Sequence, residues 1–346
     1  RGQEKQDLLA AAIAAGRARG MQVYAWKHAL NVGYAYGVRP DREPVLARNG
    51  RGQTSLDLMP DPNSPTGEVQ AFADPTHPQI REDLQTAIAA TLQRQPDGVL
   101  LDYIRYVRQT GGASIATTVQ DLWIYGETAR AAFLAAVPPP QRELRERFLT
   151  QGFVTANDVA RWVPPNPTAP RTKANPPRPS AAELTRQQAL WQERLWQQSV
   201  EFAQTAIVDF LAAVGTPVRQ AGLPVGAVFF PGGNQAIGRG FDSRLQPWHR
   251  FDRQWQWHPM SYARCGTADC IVDEVARVMA VADGVEVAPV LTGQWGQAFD
   301  GRPSLEDQMT AIAQRFPQIR SVSHFAFAWQ EPAWDRARQA CTLPRP

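Results

Sequence analysis

Short apolar segments alternate with amphipathic helical segments along most of this chain, and this order constrains its fold more than any other feature. Residues 7–19 have the periodicity of a helix that ends at Gly20, and an apolar segment over 21–26 follows directly. The same helix-then-strand order recurs later in the sequence and predicts a parallel sheet joined by crossover helices. The six predicted strands cover residues 21–26, 97–104, 223–230, 254–262, 285–292 and 322–329.

The order of these elements favours a (β/α)8 TIM-like barrel over an open, doubly wound sheet. Doubly wound sheets often carry a glycine-rich phosphate-binding turn after the first strand, and no such turn follows residue 26. A barrel of this kind has eight strands, so we expect two strands to precede Arg1. Any export signal would lie in the same upstream segment. We therefore expect residues 1–346 to form one α/β barrel domain that lacks its first two strands.

The connection between the second and third predicted strands is unusually long. It contains an inserted excursion over residues 107–195, with predicted helices at 117–136, 140–149 and 156–162. The proline-rich stretch "VPPNPTAPRTKANPPRPS" follows these helices and is expected to be extended. In a barrel this connection leaves the carboxyl-terminal face, where active sites form, so the excursion is expected to wall or cover a cleft. The alternative is a surface elaboration that has no role in the site.

The composition argues against several classes of function. The net charge is only +3 and no block of basic residues is present, which argues against a nucleic-acid partner. No apolar run of 18 or more residues is present that would span a membrane. The sequence also lacks a glycine-rich phosphate loop, the Gly-x-Ser-x-Gly elbow of serine hydrolases and a set of Cys/His residues at zinc-ligand spacing. We therefore expect no cofactor and no metal.

Two of the three cysteines bear on the compartment of the protein. Cys265 and Cys270 stand five residues apart around Gly266, where a disulfide is feasible and would fit an exported protein. The alternative is two free thiols in a loop. Cys341 has no obvious partner.

The residues at which the predicted strands meet their following loops indicate a carbohydrate site. Function in a barrel is concentrated at these positions, and here they combine aromatic rings, amides and arginine with few carboxylates. Flat aromatic faces pack on the C–H faces of sugar rings, while amide and guanidinium N–H groups hydrogen-bond sugar hydroxyls. The candidate substrate-binding residues are Trp26, His28, Asn31, Tyr103, Arg105, Tyr106, His258, Tyr262, Gln294, Trp295 and Trp329.

Four segments of the chain resemble successive blocks of the glycosyl-hydrolase-like family 10 proteins, which are bacterial (β/α)8 barrels that include peptidoglycan glycan-strand hydrolases. The segments are "AAGRARGMQVYAWKHALNVG", "DPTHPQIREDLQTAIAATLQRQPDGVLLDYIRYV", "WQERLWQQSVEFAQTAIVDFL" and "WQWHPMSYA". They follow the family order between residues 8 and 330, and the block from Asp74 to Tyr106 is the most specific. The resemblance implies two strands upstream of Arg1 and hydrolysis of a bacterial cell-wall or extracellular polysaccharide outside the cytoplasm.

Glycosidic cleavage normally needs two carboxylates, one that protonates the leaving oxygen and one that acts as nucleophile or activates water. Asp102, at the end of the apolar strand "GVLLD", is the first candidate. If Arg105 turns back toward it, Asp102 stays ionised and suits a base or nucleophile. If Arg105 does not, a dry aromatic pocket raises the pKa of Asp102 and suits an acid. The alternative is a structural carboxylate that pairs with Arg105 or caps the next turn.

The second carboxylate is harder to assign from the sequence. Glu331 directly follows the last predicted strand and is the favoured candidate, while Asp300 and Asp335 are alternatives at the same edge. Glu286 starts its strand and would lie at the opposite end of the barrel.

The resemblance breaks down at two positions. The family often has a pair of acids where this chain has Leu101-Asp102, and a proline where it has Val107.

A single acid at this strand end leaves open a second function, a non-catalytic carbohydrate-binding barrel. A second carboxylate roughly 5–10 Å from Asp102 would favour the hydrolase. A metal-dependent hydrolase is the weakest alternative, because only His28 and His258 stand at strand ends as ligands.

Overall fold

A computed structural model describes residues 6–58, 70–162 and 180–326 of the chain. Its strands are, in chain order, β1 (Tyr24–His28), β2 (Gly98–Asp102), β3 (Ile115–Ala116), β4 (Val225–Phe229), β5 (Ala236–Ile237), β6 (Gly240–Asp242), β7 (Gln256–Pro259), β8 (Val290–Leu291) and β9 (Ser323–His324). Its α-helices are α1 (Leu8–Arg17), α2 (Tyr34–Gly37), α3 (Pro78–Leu92), α4 (Glu127–Ala135), α5 (Pro139–Gln151), α6 (Ala156–Trp162), α7 (Ala181–Gln220), α8 (Asp269–Met279) and α9 (Leu305–Arg315).

The main sheet is parallel, as the alternation of elements predicts. Its strands follow the order β1-β2-β4-β7, and β8 pairs with β9 in parallel. Single parallel bridges, including one between Met260 and Val290, join the segment of β7 to that of β8. The six segments therefore form one row in chain order. Strands β3, β5 and β6 form a small antiparallel sheet outside this row.

The row of strands curls so that its first and last members approach each other. The indole of Trp26 on β1 meets the ring of Phe325, directly after β9, edge to face, with 5.8 Å between ring centroids. In the described part of the chain no backbone pairing joins β1 to β9, so the strands form an arc rather than a closed barrel. The structure thus has the curvature of a barrel wall, with six of the eight predicted strands.

The hydrophobic core lies between the outer face of this arc and the helices. Successive side chains of a strand point to opposite faces, and the outward ones are nearly all fully buried. They pack in one cluster with side chains of α3 and α7, which also contact each other. The strand residues of this cluster are Ala25, Val99, Leu101, Val225, Ala227, Phe229, Trp257 and Val287.

Helix boundaries follow from local sequence signals. The hydroxyl oxygen of Ser180 accepts a hydrogen bond from the backbone N–H of Glu183 and caps α7, and Ser304 caps α9 in the same way. Pro78 occupies the first position of α3, where its missing N–H costs no helical bond. Gly152 ends α5 with a φ of 80°, a left-handed conformation that glycine adopts without strain.

The inserted excursion is built mainly of helices, with one difference from the prediction. Helices α5 and α6 pack against each other and against α7, whose 40 residues span about 60 Å. The predicted helix at 117–136 is correct only from residue 127 onward. Before it, β3 pairs with β6, and the carboxylate of Asp121 accepts hydrogen bonds from the backbone N–H and hydroxyl of Thr118, which closes a short turn. These local bonds compete with helix formation. The proline-rich stretch at 163–179 and the end of the predicted strand at 322–329 lie outside the described residues.

Candidate functional site

The inner face of the arc brings four strand residues to one level near the carboxyl ends of the strands. His28 on β1 is in register with Asp102 on β2, and Val228 on β4 is in register with His258 on β7. Leu101 pairs with Ala227, so the residues that follow them, Asp102 and Val228, also stand side by side. In parallel strands, residues in register point to the same face. The register therefore places Asp102 between His28 on β1 and Val228 on β4, with His258 one strand further along the sheet.

Asp102 is buried and has no ion-pair partner among the described residues. Only 5% of its surface is exposed, and its Oδ1 accepts a hydrogen bond of 2.6 Å from the backbone N–H of Tyr103. Within the described residues, no basic nitrogen lies within 4.0 Å of its carboxylate. Burial raises the pKa of Asp102 above its usual value, against the opposing effects of the Tyr103 N–H, the charges of Arg105 and His28, and a hydrogen bond from Trp26.

Tyr103 leaves the strand in a strained conformation that aims its ring into the site. Its φ is 53°, in the left-handed region that a bulky residue rarely adopts, at a cost on the order of 1 kcal/mol or more. In this conformation the ring lies 4.6 Å from the ring of His28 and 6.0 Å from that of Phe72, centroid to centroid. Burial raises the pKa of the Tyr103 hydroxyl, which the side chains of Gln70 and Asn31 partly counter.

Arg105 does not form a salt bridge with Asp102. Its guanidinium lies over the ring of Tyr103 at 4.8 Å from the centroid, and its Nη1 donates a hydrogen bond of 3.0 Å to the carbonyl of Tyr106. Burial lowers its pKa to about 10, so it stays protonated at neutral pH. Of the two arrangements of Arg105 that the sequence left open, the structure has the one without a salt bridge to Asp102, in which burial raises the pKa of the carboxyl group.

Tyr262 completes the edge of the sheet formed by the carboxyl ends of the strands near Asp102, which we call the rim. Burial raises the pKa of its hydroxyl, and the charge of Asp102 and, less strongly, that of Tyr103 add to this effect, while the charge of Arg302 opposes it. Its ring meets that of Phe230 edge to face at 6.3 Å. The backbone carbonyl of Tyr262 accepts hydrogen bonds of 2.6 and 3.1 Å from the buried guanidinium of Arg302, which fixes this part of the rim.

Asp300, an alternative second acid, is engaged by two arginines. Its carboxylate lies 2.9 Å from Nη1 of Arg302 and 2.7 Å from Nη2 of Arg264. Asp300 is therefore held as a structural counter-ion for Arg302.

His258 is a neutral imidazole in a dry position. Burial lowers its pKa to about 4, while the charge of Glu286 and a hydrogen bond to the backbone of Ala288 oppose the change. Its Nε2 is buried and has no hydrogen-bond partner within the portion of the chain that is described.

The remaining candidate substrate-binding residues differ in their exposure to solvent and in their contacts. Trp26, His28 and Trp295 are exposed, and Trp295 contacts the ring of His324 at 6.0 Å. Asn31 is buried, and its Oδ1 accepts a hydrogen bond of 3.2 Å from the N–H of Gly33. Gln294 is hydrogen-bonded to Gln297 in the loop after β8.

Tyr106 does not belong to the site. It is 1% exposed, and its hydroxyl donates a hydrogen bond of 3.3 Å to the carbonyl of Ala203 on α7, so its ring packs in the core on the outer side of the sheet. Trp329 and Glu331 lie outside the described residues, as does Asp335.

Sequence reasoning missed three residues that shape this edge of the sheet. Phe72 contributes a ring against Tyr103, and Arg244 lies over the ring of Phe230 at 4.5 Å. Glu274 on α8 accepts a hydrogen bond of 3.0 Å from the backbone N–H of Ala263 and so holds the segment beside Tyr262. Only Glu274 had a usable signal, because it is an acid on the apolar side of an amphipathic helix.

Three further observations concern the cysteines, metal binding and membrane spans. Cys265 and Cys270 form a disulfide in the loop before α8, with 6.2 Å between their Cα atoms. Among residues 6–58, 70–162 and 180–326, no group of three or more His, Cys, Asp or Glu side chains is placed to hold a metal ion. No helix in these ranges is both long enough and apolar enough to cross a membrane.

Comparison with known proteins identifies the fold through structure and not through sequence. No family model and no curated protein matches the chain. The catalytic domain of β-amylase from Paenibacillus polymyxa is similar in structure, with a TM-score of 0.50 and 12% identity, over 92% of this chain and 79% of that one. This similarity shows that the chain shares the α/β fold of a glycoside hydrolase catalytic domain.

Two further solved structures with lower scores are glycoside hydrolase domains. One is that of PgaB (BpsB) from Bordetella bronchiseptica, with a TM-score of 0.46 and 13% identity over 94% of this chain and 77% of that one. The other is that of PelA from Pseudomonas aeruginosa, with a TM-score of 0.39 and 11% identity over 92% of this chain and 83% of that one.

Proposed function

We propose that the protein is a glycoside hydrolase in which Asp102 is the general acid. The observation that carries the proposal is the buried environment of the Asp102 carboxyl group. It is buried at the carboxyl end of β2, lacks an ion pair within the described residues, and accepts a hydrogen bond from the backbone N–H of Tyr103, and burial raises its pKa. A carboxyl group in such surroundings holds its proton to higher pH and is suited to protonate a leaving oxygen.

The proposed reaction breaks a glycosidic C–O bond between two sugars. Asp102 gives its proton to the bridging oxygen as the bond breaks, and the electron pair of the bond leaves with that oxygen. A second carboxylate then bonds to the sugar carbon or removes a proton from the attacking water. We propose Glu331 for this second role. Its place in the sequence just after the last predicted strand supports the proposal, and so does the engagement of Asp300 by two arginines.

The proposed substrate is a bacterial cell-wall or extracellular polysaccharide, which places the protein outside the cytoplasm. The exposed indoles of Trp26 and Trp295 are suited to stack on sugar rings, since 48% and 46% of their surfaces face solvent. The disulfide between Cys265 and Cys270 is consistent with an oxidising compartment. The proposed substrate-binding set is Trp26, His28, Asn31, Tyr103, Arg105, His258, Tyr262, Gln294, Trp295 and Trp329.

A non-catalytic carbohydrate-binding barrel is the second candidate function. The observation that favours it is the position next to Asp102. Leu101 is fully buried in the outer core, so no second acid accompanies Asp102 at the end of β2.

Release of reducing ends from peptidoglycan glycan strands and from a panel of bacterial exopolysaccharides tests the hydrolase. The wild-type protein is compared with Asp102→Asn, Glu331→Gln and the control Asp209→Asn, which makes the same chemical change at an exposed position on α7. We expect cleavage by the wild type and the control, and a loss of about 10²–10⁴-fold in Asp102→Asn. Glycan binding without cleavage by any of the four proteins would establish the binding barrel instead.

A further inference from the structure

Arg105 is a buried cation that no carboxylate of the described chain neutralises by direct contact. It is 7% exposed, and its side chain donates a hydrogen bond to the carbonyl of Tyr106 at 3.0 Å. Two other arginines at the same edge of the sheet differ from it. Arg244 lies 2.7 Å from a carboxylate oxygen of Asp242, and Arg302 lies 2.9 Å from one of Asp300.

Aromatic rings hold the Arg105 guanidinium in place. Its central carbon lies 4.8 Å from the ring centroid of Tyr103, 5.3 Å from that of Phe72 and 5.7 Å from that of Phe230. Such cation–π contacts orient the group and offset part of its desolvation, but they leave its charge uncompensated. The guanidinium is therefore held near Asp102, and no described residue is its counter-ion in salt-bridge contact.

Charges of both signs act on Arg105. Tyr103 and Asp102 favour its charged form, but Asp102, the nearest acid in sequence, is itself shifted by burial toward its neutral form. Arg244 and Arg108 act on it as like charges; Arg244 is paired with Asp242, while Arg108 is exposed with no ion pair in the described ranges. Arg105 and Arg108 are thus two cations that lack a salt-bridge partner among the described residues, which favours an anionic group in a bound molecule.

From this arrangement we infer that the sugar unit bound beside Asp102 carries a carboxylate, as a uronic acid does, and that the Arg105 guanidinium receives it. The inference rests on the proposed glycan-processing function and names the substrate class of that site. The planar fork of a guanidinium matches the two oxygens of a carboxylate, and this pairing is stronger in a dry pocket than in water. The rings of Tyr103 and Phe230 that hold the guanidinium also supply apolar faces for the sugar.

Binding of matched charged and neutral oligosaccharides tests the inference. Calorimetry on the full chain carrying Asp102→Asn, which blocks turnover, would use galacturonate and mannuronate oligosaccharides and the same compounds with their carboxyl groups reduced to alcohols. At about 0.15 M salt, long-range attraction is screened. We expect at least one charged oligosaccharide to bind about tenfold or more tightly than its reduced counterpart.

Two further substitutions in the same background assign the preference to Arg105. Arg105→Gln is expected to abolish the preference for the charged sugar. Arg19→Gln, which removes one positive charge at an exposed site beyond the end of α1, is expected to retain it. Arg105→Lys keeps the charge but loses the planar fork, so it should show a reduced preference if Arg105→Gln does not fold.

The outcomes separate this inference from the proposed hydrolase. Equal binding of the charged and reduced forms in both pairs by the Asp102→Asn protein overturns the inference. A preference for the charged form that persists after Arg105→Gln also overturns it. Cleavage of neutral glycans with no preference for charge would leave the hydrolase standing and remove the inference. A preference for the charged sugar that depends on Arg105, in a protein that cleaves no glycan, would support the inference and remove the hydrolase.

Discussion

Gly226 and His258 stand on adjacent strands, and a methyl group added at Gly226 would lie 2.8 Å from Nε2 of His258. The same methyl would lie 2.4 Å from Cδ2 of Leu100 on the other neighbouring strand. Real Cβ atoms do not approach other atoms so closely. The inner face of the arc is therefore closely packed below Asp102, because a residue without a side chain lets the two neighbouring strands bring Leu100 and His258 together.

We expect Gly226→Ala to destabilise the protein by about 1–3 kcal/mol, because the extra methyl forces Leu100 and His258 out of their positions. The free energy of unfolding in urea measures the effect. Gly112→Ala is the matched control, since nothing lies within 4 Å of a methyl group added there. An unchanged unfolding free energy in Gly226→Ala would mean that the inner face has room that the structure does not show.

His258 makes the stability of the fold sensitive to acid. Its folded pKa of about 4 lies below the usual value of 6.5, so the unfolded chain takes up a proton at this site before the folded chain does. The contribution of the neutral ring to stability is complete above about pH 6.5 and is lost as the pH falls toward 4. A shift of this size corresponds to roughly 3 kcal/mol.

His258→Gln should therefore lose roughly 3 kcal/mol less stability than the wild type between pH 7 and pH 4, because glutamine has no proton to gain. Urea unfolding at a series of pH values measures this difference, with His324→Gln as an exposed control. Parallel stability curves for the wild type and His258→Gln would contradict the assignment of a buried neutral imidazole.

For Asp102 the dependence of stability on pH should have the opposite sign. Burial raises its folded pKa, so the unfolded chain loses the proton first as the pH rises, and stability falls from about the unfolded pKa of 3.8 upward. Asp102→Asn cannot ionise, and we expect it to be more stable than the wild type at pH 7, by about 1 kcal/mol. The gain should vanish below pH 3.8. Thermal unfolding at pH 7 and pH 3 checks this, and a less stable Asp102→Asn at pH 7 would show that Asp102 supports the fold as a charge.

The sequence predicted the edge of the sheet but not how its side chains meet. Asp102 can be placed from the apolar strand before it, and Tyr262 from the strand that it follows. The direction of Arg105 cannot be read from the sequence, because two of the three rings that hold it belong to Phe72 and Phe230, which are far away along the chain. Contacts of this kind depend on the assembled fold and leave no local pattern.

Tyr106 shows how a local conformation defeats an assignment from position in the sequence. It was a candidate because it stands where a predicted strand meets its loop, but the φ of 53° at Tyr103 ends the strand earlier. Beyond that point the chain turns, and Tyr106 packs against the backbone of α7 instead of facing the rim. The order of strands and helices was easier to predict, since it depends on the burial of whole elements, although β8 is only two residues long within the predicted segment at 285–292.

The disulfide between Cys265 and Cys270 should stabilise the protein modestly. It closes a small loop, and limiting the freedom of a loop of this size in the unfolded chain contributes about 2 kcal/mol. The loop leads into α8, whose Glu274 holds the backbone N–H of Ala263, so loss of the bond should also loosen this part of the rim. Unfolding of the wild type in urea with and without a reductant measures the contribution. A variant with serine at both positions should match the reduced wild type and be insensitive to reductant, while Cys341 is retained in both proteins. If reduction leaves the wild type as stable as before, the rest of the fold already holds the loop in place.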